Sequence, residues 1–248
     1  MTIRYWVAGA GPAVLLVHAG VCDARMWARQ VEDLRRDHQV ITVDLRGYGE
    51  TPLAPGTRYS DAGDLLEVLD ELGLDSVAVV GASYGGNVVL QAASRRPARF
   101  HRLVLLAPPV DGVEPTADLR AVWDEENRLL EAGDVEAATA LNVRSFLGPE
   151  ADDEARALVH TMQKRAFELQ LAAGDDLENE EYEVTPAAIT APVKLFCGAR
   201  DLQFFRDGAE KLAKELPDVE YVELPWAGHV PTLERPAEGV ALVRAALG

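Results

Sequence analysis

Short, β-branched apolar runs recur along the chain, separated by longer segments whose apolar positions return every three or four places. The runs are residues 2–8 (TIRYWVA), 13–19 (AVLLVHA), 39–45 (QVITVDL), 77–82 (VAVVGA), 103–108 (LVLLAP), 193–199 (VKLFCGA) and 220–225 (EYVELP). Several are apolar at every position, as strands are when helices cover both faces of their sheet. The 3.6-residue pattern predicts helices over 24–35, 60–72, 84–96, 205–215 and 236–247, the last with Pro236 in its first turn. Alternation of this kind predicts an α/β fold with a doubly wound, mostly parallel sheet.

Residues 111–190 interrupt the alternation. They hold no convincing strand and three helical patterns, at 116–133, 134–148 and 152–174. The chain is expected to form a core from 1–110 and 191–248, with 111–190 as a helical cap, or lid, over the sheet's carboxyl edge. Charge divides the same way: 111–190 carries 20 acidic and 6 basic side chains, a net −14 of the chain's −17. Such a surface repels nucleic acid and anionic membrane. No long apolar segment opens the chain, and the expected location is cytoplasmic. Cys22 and Cys197 are far apart, fit no metal or redox spacing, and read as reduced, packed thiols.

The fourth run ends in GASYGG, residues 81–86. Strands of open α/β sheets present chemistry at their carboxyl ends, which is where Ser83 stands. A sharp strand–turn–helix forces its apex residue into a sparsely populated conformation and lifts the side chain clear of the sheet. Gly81 and Gly85 then remove the Cβ atoms that would collide as strand and helix close up. A serine hydroxyl needs a base. Of the five histidines, His38 and His101 precede strands, His160 sits on a solvated cap face, and His18 lies in a loop with another task. His229, in the loop after the last strand, remains. Asp201 follows the penultimate strand and is the expected orienter of the imidazole; Asp111 is the rival. An acyl transfer also needs two N–H donors for the developing oxyanion. Tyr84, directly after Ser83, supplies one; Gly20 is the first choice for the other and Val21 the second.

VHAG (17–20), VDLRGYGET (43–51), GASYGG (81–86), GARD (198–201) and AGH (227–229) together resemble the α/β-hydrolase superfamily over nearly the whole chain. The order Ser83, Asp201, His229 is that of its triads. Ala19 departs from the glycine more common in members. His18 then shapes a loop, and Asp44 and Arg46 pin loops. Relatives that open epoxides or remove halides carry aspartate where this chain has Ser83. The resemblance therefore implies a serine hydrolase of a small-molecule ester or lactone, similar to 3-oxoadipate enol-lactonase-like hydrolases and small carboxylesterases. Carbon–carbon bond hydrolases, perhydrolase-type enzymes, an amino-terminal peptidase and a hydrolase-fold ligand-binding protein are the alternatives. Substrate contacts are expected from Val21, Trp27, Trp123, Phe146, Met162 and Val230. The expected chemistry uses no cofactor and no metal, and the partners are the substrate and at most a second copy of the chain as a homodimer.

Overall fold

A computed structural model describes residues 3–174 and 176–248. In chain order the strands are β1 (Arg4–Ala8), β2 (Ala13–Val17), β3 (Gln39–Asp44), β4 (Arg58–Tyr59), β5 (Val77–Ala82), β6 (Phe100–Leu106), β7 (Glu178–Asn179), β8 (Val193–Gly198) and β9 (Val219–Leu224). The helices are α1 (Ala28–Leu34), α2 (Asp61–Glu71), α3 (Tyr84–Arg95), α4 (Ala117–Glu131), α5 (Val135–Phe146), α6 (Asp153–Ala173), α7 (Gln203–Glu215), α8 (Pro231–Glu234) and α9 (Pro236–Leu247). Seven strands form one sheet in the order β1-β3-β2-β5-β6-β8-β9, parallel except for β1, which runs antiparallel to β3. This is the mostly parallel sheet that the alternating pattern predicted, in the α/β-hydrolase arrangement that the resemblance implied.

Every residue of β2 and β5 is buried, so both faces of the sheet's centre are covered. Helix α1 packs on α9, and α2 on α3. The registers place Leu15 against Ile41 and Val79, Val80 against Val104 and Leu106 against Phe196, with one shift between Val77 and Ala78 where β5 meets β6. Burial of these large apolar side chains, each worth about 1.5–3 kcal/mol, fixes the depth of every strand and hence the height of the loops at its end.

Three expected boundaries move. Strand β6 starts at Phe100, so His101 lies inside it and not before it. Helix α7 starts at Gln203, two residues early. Residues 24–35 divide into a 3-10 turn, Ala24–Trp27, and α1. The expected start of the first strand, Thr2, lies outside the described residues.

Between β6 and β8 the chain builds α4, α5 and α6, with α5 packed on both others. Asp134 and Asp152 cap α5 and α6 by accepting the Ala137 and Ala155 amides at 3.0 and 2.8 Å, contacts of about 1 kcal/mol each. Leu129, Ala138 and Phe167 form a small apolar cluster separate from the main core. The expectation of no strand here is corrected by β7, two residues paired in parallel with β4. Two residues are too few to show a period-2 pattern. The pair nevertheless matters, because it ties the end of the helical segment to the loop before α2. Arg58 and Glu178 close it with a bidentate pair at 2.6 and 2.8 Å. Among the described residues, no helix is long and apolar enough to cross a membrane.

Candidate active site

Ser83 occupies the turn between β5 and α3 with φ 47° and ψ −121°. That conformation is rare for a residue with a Cβ and costs of order 1–3 kcal/mol. It is held from both sides: the Ser83 N–H donates to the Leu106 carbonyl at 2.7 Å, and its carbonyl accepts the Gly86 amide at 2.8 Å. A Cβ on Gly81 would lie 2.7 Å from the Gly86 Cα, inside the contact limit, so this glycine does let strand and helix close together. The reason for Gly85 differs from the one expected. Its Cβ would meet the His18 and Val17 carbonyls at 2.3 and 2.8 Å, so it clears the end of neighbouring β2.

The His229 Nε2 is 2.7 Å from Ser83 Oγ, and Nδ1 is 2.7 Å from Asp201 Oδ2. All three side chains are buried. The second Asp201 oxygen accepts the Leu202 amide at 2.7 Å, which fixes the carboxylate plane. Asp111 is exposed, and His229 has both ring nitrogens engaged elsewhere. The chain thus brings Ser83, His229 and Asp201 together from the ends of β5, β9 and β8.

The amide of Tyr84 is the first of α3 and has no intrahelical acceptor. A turn in which the Cys22 amide donates to the Ala19 carbonyl leaves the Gly20 and Val21 amides without acceptors among the described residues. Gly20 abuts Tyr84: its Cβ would stand 3.3 Å from the Tyr84 Cβ. His18 is fully buried, bonded through Nδ1 to the Ala19 carbonyl and through Nε2 to the Leu45 amide. Burial lowers its pKa and keeps it neutral, in the tautomer that accepts from Leu45. It joins two loops, as expected. Asp44 does the same by accepting the Ala24 and Glu50 amides, and Arg46 forks onto Asp64 at 2.6 and 2.7 Å.

Of the expected substrate contacts, Phe146 lies 5.4 Å from the His229 ring, centroid to centroid. Val230 follows His229 and Val21 follows Gly20; both are buried. Trp27 and Met162 are fully buried in the core, and Trp123 is largely exposed, edge-on to Phe204.

Three groups were not legible beforehand. Phe205 packs on the His229 ring at 4.0 Å from the first turn of α7. Glu234 is 3% exposed and accepts both amides that flank the histidine, from Gly228 at 2.7 Å and Val230 at 3.0 Å. A glutamate five residues beyond the histidine, directly after VPTL (230–233), was the available signal. Replacing it with Gln turns one acceptor into a donor facing an N–H. Glu234→Gln is expected to lower kcat about tenfold with little change in KM, and to cost about 1–3 kcal/mol in urea unfolding. An unchanged kcat would mean that the clamp does not position His229.

The third group is Asp61. Its Oδ2 accepts the Tyr84 hydroxyl at 2.5 Å, and Asn179 of β7 donates to both, at 3.3 and 3.2 Å. Burial pushes the Asp61 carboxyl up to about 6, against the opposing pull of the Tyr84 hydrogen bond. A folded pKa above the unfolded one means that the native state holds the proton more tightly. Stability linked to Asp61 is therefore present at low pH and lost as pH rises through roughly 4 to 6. Asp61→Asn is expected to raise the melting temperature by a few degrees at about pH 7.5 and to give no advantage near pH 4. Parallel pH profiles for the two proteins would contradict this.

The model of the alpha/beta hydrolase fold family matches residues 12–236. The chain belongs to this family. It is 30% identical over 240 residues to the protein named "Putative carbamate hydrolase RutD" of Caulobacter vibrioides, covering 92% of this chain and 87% of that one. A thermophilic esterase from Thermogutta terrifontis superposes with a TM-score of 0.80 at 25% identity, covering 99% of this chain and 92% of the esterase. The enol-lactonase of Burkholderia xenovorans LB400 shares the fold with a TM-score of 0.79 at 22% identity, over 99% and 96% of the two chains. As an α/β hydrolase the chain keeps its polar constellation at the carboxyl edge of the sheet, where open α/β folds place ligands.

Proposed function

We propose that the protein is a serine hydrolase that cleaves a small-molecule carboxylic ester or lactone through an acyl-enzyme. The observation that carries this reading is the unbroken relay Ser83–His229–Asp201, two contacts of 2.7 Å among buried side chains. In the proposed reaction His229 removes the Ser83 proton as Oγ adds to the carbonyl carbon. The Gly20 and Tyr84 amides hold the resulting oxyanion; the positive end of α3 adds to that field. Asp201 keeps the Nδ1–H tautomer and stabilises the imidazolium. His229 then passes its proton to the departing oxygen. In the second half the imidazole takes a proton from water, hydroxide adds to the acyl carbon, and Ser83 leaves with its proton restored.

The helical segment 111–190 serves as the cap in this reading. Phe146, at the end of α5, reaches the His229 ring, which sets this segment against the relay. The esterase likeness favours an ester, and the carbamate hydrolase relative likewise acts at a carbonyl bearing a heteroatom. The test is a panel of short-chain p-nitrophenyl esters, lactones and thioesters with purified protein. Turnover of at least one class, with burst kinetics from acyl-enzyme accumulation, is expected. Ligand binding with no turnover of any member would favour a binding protein on the same fold.

A further inference from the structure

A cavity of about 370 Å3 reaches His229 and is lined among others by Arg144, Gly148, Arg156, Arg200 and Gly228. Three guanidiniums around one small space are notable in a chain of net charge −17. Among the described residues, some of this chain's arginines pair with carboxylates, as Arg46 does with Asp64, Arg58 with Glu178, Arg99 with Asp70 and Arg244 with Asp33 and Asp37, and others, such as Arg35, Arg120 and Arg165, do not. At the cavity, two of the three meet none. Arg144 is exposed and, among the described residues, has no hydrogen-bond or ion-pair partner. Arg156 donates to the Gly148 carbonyl at 3.0 Å and, among the described residues, meets no carboxylate. Arg200 shares Glu150 with Arg235, at 3.4 and 3.1 Å. Planar forks left short of carboxylates select an oxyanion of matching geometry.

The cavity's position says which half of a substrate would enter it. His229 lines it and Ser83, Gly20 and Tyr84 do not, so it lies beyond His229 from the nucleophile and the oxyanion donors. The imidazole must hand its proton to the departing oxygen, so the leaving group lies on the imidazole's side. We infer that the arginine-lined cavity binds a carboxylate carried on the leaving-group half of the substrate, a deepening that rests on the serine-hydrolase reading.

The experiment compares 4-acetoxybenzoate with its neutral methyl ester, and p-nitrophenyl hydrogen succinate with p-nitrophenyl butyrate. In the first pair the charge is on the leaving group; in the second it is on the acyl group. At low ionic strength kcat/KM for 4-acetoxybenzoate should exceed that for the methyl ester by about tenfold, chiefly through KM, although the methyl ester has the better leaving group. The excess should shrink as salt is added. Arg144→Gln and Arg156→Gln should each lower this ratio severalfold, and the double variant should abolish it. A ratio near one, a ratio that survives in the double variant, or a preference seen only with the succinate would overturn the assignment. If no ester is turned over, the serine reading is at fault, and calorimetric titration with 4-hydroxybenzoate judges the cavity separately. Binding weakened about tenfold in the double variant supports it; equal affinity, or no binding to wild type, overturns it.

Discussion

Ser83→Ala is expected to lower turnover of an activated ester by about four to six orders of magnitude while leaving the fold intact. The hydroxyl makes one hydrogen bond, 2.7 Å to His229, and alanine meets the φ 47° turn with no more steric cost than serine. Its loss therefore removes the attacking atom without removing packing, and stability should change by about 1 kcal/mol or less. The control is the melting temperature alongside kcat. Retained turnover in a folded variant would show that Oγ is not the nucleophile. Loss of both would show only that the turn had collapsed, and Ser83→Cys, with a polar atom in the same place, then separates the two outcomes.

The second large effect belongs to Asp201→Asn. Asp201 accepts the His229 Nδ1–H at Oδ2 and the Leu202 amide at Oδ1, with the Cys197 thiol a weak third donor at 4.0 Å. Asparagine accepts at one oxygen only, so in either orientation its NH2 confronts one of those N–H groups. Turned toward His229, it stabilises the tautomer with the proton on Nε2, which cannot take a proton from Ser83. A loss of about 10³–10⁴ in kcat, with KM changed far less, is expected. Asp111→Asn, at an exposed position outside the relay, should behave like wild type. The reverse ranking of these two variants would transfer the orienting role to Asp111.

The sheet was readable in the sequence because its central strands are buried on both faces. Continuous runs such as VAVVGA and LVLLAP leave little choice of element, and their order along the chain leaves few topologies. Ser83 was readable for a related reason, since it directly follows buried β5 and the sheet sets its height; Asp201 comes three residues after β8, and His229, five residues past edge strand β9, was readable as the histidine beyond the last strand. What escaped are contacts that depend on how loops meet. Glu234 looks like any acidic residue near a helix end until its carboxylate is seen across the two amides beside His229. Asp61 and Asn179 are 118 positions apart, joined through a strand pair of two residues that carries no period. The three arginines around the cavity come from α5, α6 and the loop after β8, and no local pattern links them. Trp27 and Met162 were expected at the substrate and lie fully buried in the core, because an aromatic or Met stripe reads the same whether it faces a ligand or a neighbouring helix.

Reaction with a fluorophosphonate, followed by mass mapping of the peptides, tests the central relay most directly. One adduct per chain is predicted, on Ser83, forming at least a hundredfold more slowly in His229→Gln. An adduct on another residue, or labelling of Ser83 at the same rate without the imidazole, would contradict a hydroxyl activated by His229 and Asp201.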